Sequence, residues 1–401
     1  MHTQSSADRI DESSGAPSIA TSAAVAAAIA SSTASVHAED VDRDARLPIE
    51  TLDALREARL LSAFVPTRLG GGGASLAEIT RICSTLAGAC AASGMIYAMH
   101  CIQVASIVRH AAGRPELEDY LRRLVREQRL IASVTSEVGT GGDLRSSVCH
   151  VEPVAGGRFR LEKSTTTSSY CEYADDLLLT ARRAQDAVAG DQVLVLLGKD
   201  DFVLHDVGTW DTLGMRGTCS PPARVVGEGE AWQILHEPFR DIAASTMVPV
   251  SHITWAAVWL GIAGDAYERA RRFLRMRARK DPEGSVLAAN RLGEIASQVS
   301  GMRARLAEAV SSFEARSADD VTGASGPGAL FAINELKLAV SEGLVEVVDA
   351  AIRVIGIAAY RNDGDFSLGR HLRDGHSAAL MIHNDRIRST NADLLVVYKG
   401  R

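Results

Sequence analysis

The hydrophobic period of this 401-residue chain changes twice, and that double change limits the folds open to it. From Leu47 to Leu130 apolar residues recur at helical spacing: Leu52, Leu55, Leu60 and Leu61, then Leu76-Ala77-Glu78-Ile79 after the glycine run Gly70 to Gly73. Between Ile131 and Arg240 the pattern becomes strand-like, with alternation at Arg158-Phe159-Arg160-Leu161-Glu162 and short apolar runs at Asp176–Thr180 and Gln192–Leu197. Helical stretches return at Ile253–Arg279, Arg291–Arg316 and Phe331–Ile355, with Asp319 to Gly328 reading as a loop between the last two. The expected class is α+β. It comprises an N-terminal helical domain (41–132), a central β-domain built as a small barrel or sandwich (133–240), and a C-terminal four-helix bundle (241–401). Residues 1–40, rich in Ser and Ala, read as a flexible or helical leader without chemistry of its own.

Composition removes several function classes. With 43 Lys+Arg against 50 Asp+Glu the net charge is -7, so no basic face for nucleic acid is expected. The six cysteines form no C-x-x-C pair, which argues against a zinc ribbon or a dithiol redox motif and suits free thiols in a reducing compartment. No run of eighteen apolar residues is present and the Ala-rich leader lacks a cationic start, so a cytoplasmic protein without a membrane span is expected.

Chemistry concentrates in three segments. Ser136-Glu137-Val138-Gly139-Thr140-Gly141-Gly142-Asp143 is a polar glycine turn between two strand-like runs, where backbone N–H groups can approach an anion or a flat ring. Lys163-Ser164-Thr165-Thr166-Thr167-Ser168 and Leu213-Gly214-Met215-Arg216-Gly217-Thr218 follow. Together with Val65-Pro66-Thr67-Arg68-Leu69-Gly70-Gly71 upstream and Arg370-His371-Leu372-Arg373-Asp374 downstream, these segments resemble, in order, the motifs of the acyl-CoA dehydrogenase family of flavoproteins. The likeness spans roughly residues 45 to 401.

The resemblance implies an FAD held by Thr135, Ser136, Gly141, Gly142, Thr165, Thr167 and Asn384, with the Thr167 hydroxyl at the flavin N5 edge. Gly142 replaces a serine of the family and offers only its backbone to cofactor or substrate; Arg216 is the second implied substrate contact. Thr165 stands where the family has an aromatic ring. Arg277 and Arg353 correspond to residues that reach the FAD of a neighbouring subunit, which implies a homotetramer or at least a dimer. Read without the family, Thr165–Thr167 are β-branched strand residues, Arg216 is a surface cation, and Arg269–Lys280 is a solvated helix face.

The family's catalytic carboxylate is missing. Its usual position falls on Ile382, and the alternative position falls near Ser251. His376 and His383 stand nearby, and imidazole is suited to proton transfer at neutral pH. The residues therefore leave three functions open. The first is FAD-dependent α,β-oxidation of an acyl thioester with a histidine base, passing electrons to a transfer partner. The second is a flavin monooxygenase of the same fold, fed by a flavin reductase, and the third is a non-catalytic binding subunit.

Overall fold

The computed structural model describes residues 19–316 and 326–397. Residues 1–18 of the leader and 319–325 of the expected loop lie outside the described residues. The N-terminal region carries α1 (Ile19–Arg43), α2 (Ile49–Glu57), α3 (Leu76–Ala89), α4 (Ala91–His110) and α5 (Pro115–Glu127). Helix α1 buries Ala27, Ala30, Ala34, Ala38 and Val41, one stripe at three- and four-residue spacing. Helix α3 opens on a capping box: the Glu78 N–H donates to Ser75 Oγ at 3.2 Å, and the Ser75 N–H donates to Glu78 Oε2 at 2.8 Å.

Among the described residues eight strands follow: β1 (Ile131–Val134), β2 (Glu152–Val154), β3 (Arg158–Ser164), β4 (Asp176–Arg182), β5 (Gln192–Gly198), β6 (Phe202–His205), β7 (Arg224–Glu230) and β8 (Ile234–Leu235). They form two four-stranded sheets, ordered β1-β4-β5-β8 and β2-β3-β7-β6. Among the strand pairs of the described residues, only β1–β4 is parallel. Strands β4 and β5 are buried along almost their whole length, which is why they read as unbroken apolar runs. Strand β3 alternates strictly, so Phe159, Leu161 and Lys163 all point inward.

The C-terminal region contains α6 (Phe239–Ile242), a π-turn (Ala243–Met247), α7 (Val248–Ala278), α8 (Val286–Glu314), α9 (Pro327–Ile355), α10 (Ile357–Tyr360), α11 (Gly369–His376) and α12 (Asn384–Val397). Helices α7, α8 and α9 pack on one another, the shorter α12 lies against α9, and α3 packs on α7. One hydrophobic core therefore runs through all three regions. Helix α4 and the stretch Phe239–Ala278 are long and apolar enough to cross a membrane, yet 89% of each apolar window is buried inside the protein. All six cysteines are buried and free.

Two glycines show why the Leu213–Thr218 motif tolerates no side chain at these points. A Cβ on Gly214 would lie 2.2 Å from the Arg373 carbonyl oxygen, and one on Gly217 would lie 2.3 Å from Val41 Cγ1. The turn is thus pressed against both α11 and α1. Asp374 completes the joint by accepting the Met215 N–H at 2.6 Å.

Candidate active site

Two adjoining cavities lie where the β-domain meets the helices. The first, about 540 Å³, is lined by Trp210, Thr212–Met215, Thr218, Arg373 and His376, among others. The second, about 350 Å³, is lined by Thr135, Ser136, the Thr140–Asp143 turn, Gln103, Ser251, His383 and Arg386, among others. Met99, Thr167, Trp255, Leu380 and Ile382 line both and form the partition.

The glycine turn is built by its own sequence. Gly139, Gly141 and Gly142 all adopt positive φ, and a Cβ on Gly141 would meet nothing within 4 Å, so the turn is open to an occupant. The Ser136 hydroxyl donates to the Thr167 carbonyl at 2.6 Å and accepts the Thr167 N–H at 3.1 Å, which fixes the two implied flavin contacts to each other. From the far end of the chain Arg386 donates to the carbonyls of Gly141, at 2.8 Å, and Gly142.

Behind the turn lies a buried ion pair that sequence reading missed. Lys163 Nζ reaches Glu137 Oε2 at 2.9 Å, the Thr180 carbonyl at 2.9 Å and Thr180 Oγ1 at 3.2 Å. Burial acts to raise the Glu137 carboxyl, but Lys163, the Ser147 hydroxyl and the Cys149 N–H together hold it below the usual range. The alternation of β3 was the available signal, because it places a lysine at an inward position that demands a carboxylate.

The partition is held from the helical side. Lys337, fully buried on α9, donates to the carbonyls of Ala378 at 3.0 Å and Ile382 at 3.1 Å and to Asn384 Oδ1 at 2.5 Å. Burial lowers its ammonium to about 8. Ile382, at the position where the family carries its carboxylate, adopts φ 45°, a conformation unfavourable for a β-branched residue and sustained by these surroundings.

The expected site residues divide into two groups. Thr135, Ser136, Gly141, Gly142, Thr167 and His383 line the second cavity, and Thr167 and His376 line the first. Three expectations need correction. Thr165 is buried with its hydroxyl bonded to Ala223 and Ser168, because the chain there continues β3 alongside Ala223, and it lines neither cavity. Asn384 is consumed by Lys337, Ser341 and Glu342, since a buried ammonium requires its oxygen. Arg216 clamps the Asp42 carbonyl to Asp211 and Thr212, leaving its neighbours Met215 and Thr218 to face the first cavity. The expectation for Arg277 and Arg353 concerns a neighbouring subunit; within one chain both are exposed outside the two cavities, and Arg353 pairs with Asp349.

His376 and His383 are both exposed and bracket the partition from opposite cavities. His383 Nδ1 lies 3.7 Å from Asp385 Oδ2. Ser251 donates its hydroxyl hydrogen to the Met247 carbonyl at 2.6 Å. Met99, Gln103 and Trp255 escaped sequence reading because their spacing on α4 and α7 is that of ordinary core residues.

Residues 20–128 match the family model of the acyl-CoA dehydrogenase N-terminal domain, and residues 242–381 match that of the C-terminal domain. The chain belongs to the acyl-CoA dehydrogenase family. It is 27% identical over 366 residues to the amino sugar nitrososynthase DnmZ of Streptomyces peucetius, covering 86% of this chain and 85% of the relative. FMN-bound TdsC of Paenibacillus sp. A11-2, a dibenzothiophene monooxygenase, superposes with a TM-score of 0.80 at 20% identity, covering 94% of this chain and 98% of that one. Butyryl-CoA dehydrogenase of Megasphaera elsdenii gives the same TM-score at 17% identity, covering 95% and 99%. The two structural likenesses show that the chain shares its fold with proteins of different activities.

Proposed function

We propose that this chain is a flavin-dependent monooxygenase that receives reduced flavin from a separate reductase and oxygenates a small molecule. The observation that carries the reading is Ile382. Acyl-CoA oxidation needs a carboxylate to take the α-proton, and this side chain cannot accept one. Asp143 is the one carboxylate among the described residues lining the two cavities, and it sits on the glycine turn with its oxygens bonded to Arg145.

The residues present fit a flavin. The cavities are of ligand size. The open positive-φ turn and the Ser136–Thr167 pair offer backbone and hydroxyl groups along one wall. Bound there, a reduced flavin supplies two electrons to O₂, so that one oxygen atom enters the substrate and the other leaves as water. The chain's own part is to orient the ring through Thr135, Ser136 and Thr167, to exclude water with Met99, Trp255 and Ile382, and to move protons at the imidazoles of His383 and His376. An FAD would further need Arg277 and Arg353 of a second copy in a homotetramer. The nitrososynthase and FMN-bound relatives support oxygen chemistry, whereas both family-model matches favour thioester oxidation.

One experiment separates them. The purified protein is loaded with flavin, its released cofactor identified, and the holoprotein titrated anaerobically with acyl-CoA. Flavin retention without bleaching by acyl-CoA, followed by rapid reoxidation in air after external reduction, is the expected result. Direct bleaching by acyl-CoA overturns it.

A further inference from the structure

We infer that the substrate is an uncharged, largely apolar molecule bearing an N–H or O–H hydrogen and an acceptor atom, recognised by Gln103 and Trp255. The inference rests on the flavin reading above. In that reading the flavin contacts Thr135, Ser136, the glycine turn and Thr167 all come from the β-domain, so the opposite wall, built by α4 and α7, faces the other occupant.

That helical wall is mostly apolar, through Met99 and Ile102. Ser251 has already given its hydrogen to the Met247 carbonyl. Two groups remain unmet. Gln103 Nε2 donates to the Met99 carbonyl at 3.3 Å, which fixes the orientation of the amide, and Gln103 Oε1 is left buried without a partner. Trp255 Nε1 is likewise buried without an acceptor. Gln103 and Trp255 thus bring one unpartnered acceptor and one unpartnered donor to this wall, which carries no ionised side chain. The charged or titratable groups lining this cavity, Asp143, His383 and Arg386, stand on the glycine turn and at the start of α12.

A buried acceptor that receives no hydrogen penalises every occupant lacking one, and such sites discriminate between isosteres better than apolar pockets do. An unsubstituted acyl thioester has a carbonyl to offer Trp255 but no hydrogen to give Gln103. A heteroaromatic N–H, an amine in its neutral form or a hydroxyl can satisfy Gln103, and a neighbouring carbonyl or ether oxygen can satisfy Trp255.

The test is calorimetric titration of the flavin-loaded protein with indole and with 1-benzothiophene, rings of similar size of which only indole carries an N–H. Indole should bind about tenfold or more tightly, the ratio one well-made hydrogen bond produces. Gln103→Leu should bring the two to parity, with Gln103→Met as the alternative should the leucine variant not fold. Oxindole, which adds a carbonyl, should bind more tightly than indole and lose that advantage in Trp255→Phe. Equal affinities in the parent, a preference that survives both Gln103 variants, or binding of neither ring would overturn the inference. Failure to retain flavin at all would instead remove the reading on which it rests.

Discussion

Lys163 Nζ and Glu137 Oε2 lie 2.9 Å apart, and neither side chain is more than 4% exposed. The pair joins β3 to the glycine turn, so the geometry of the candidate flavin wall depends on a charge balance inside the β-domain. Removing one partner strands the other. Lys163→Met should destabilise the protein by about 3–5 kcal/mol, the cost of an uncompensated buried charge. Adding Glu137→Gln should recover much of that loss. Chemical denaturation of the parent, the single variant and the double variant checks this, and equal stabilities for single and double variants would contradict it.

Asp374 gives a pH prediction. Burial raises its carboxyl to about 6, against an ordinary 3.8, although the Met215 N–H and the nearby arginines oppose the rise. The folded state therefore favours the protonated form. That contribution is fully present below about pH 4 and is lost as pH rises through about 6. Asp374→Asn keeps an acceptor for Met215 without the buried charge. It should raise stability at pH 8 by up to about 3 kcal/mol and have little effect at pH 4. Melting curves across that window are the measurement, and a benefit confined to low pH would refute the assignment.

Lys337 is predicted to govern the partition. Replacing it with Met strips the donor from the carbonyls of Ala378 and Ile382 and from Asn384. Limited proteolysis should then cut within residues 377–383 faster than in the parent. Flavin retention on dilution should weaken several-fold. An unchanged cleavage pattern would show that Ile382 holds its conformation without the lysine.

The histidines can be told apart by turnover. His383→Ala should lower flavin-dependent turnover by about a hundredfold, the size expected for losing a proton-transfer group, with flavin still bound. His376→Ala, from the other cavity, is the comparison. Should neither variant change turnover, proton transfer belongs to water or to a group outside the Ile382 segment.

Much of the architecture is legible in sequence because it depends on period. The inward alternation of Phe159 and Leu161, the apolar runs of β4 and β5 and the long spacing of α7 to α9 follow from side-chain direction alone. Motif positions locate the glycine turn, Thr167, His376 and His383 at the cavities. What sequence does not show is which polar group another one consumes. Thr165 and Asn384 sit within two residues of cavity-lining neighbours, yet Ala223 and Lys337 take their hydrogen-bonding capacity. Lys337 itself left a trace: it falls on the buried stripe Ile333, Val340 and Leu344, where a lysine has no place unless acceptors wait for it. The parallel β1–β4 pairing left none, since 41 residues separate the end of one strand from the start of the other.

The bond from Arg386 to Gly141 spans 245 residues of chain. A ribosome adding about 5–20 residues per second finishes that glycine turn roughly 10 to 50 s before its arginine is made. During that interval the nascent β-domain can close its sheets but cannot secure the turn against α12. The glycine turn therefore gains its tie to α12 only when synthesis is almost complete.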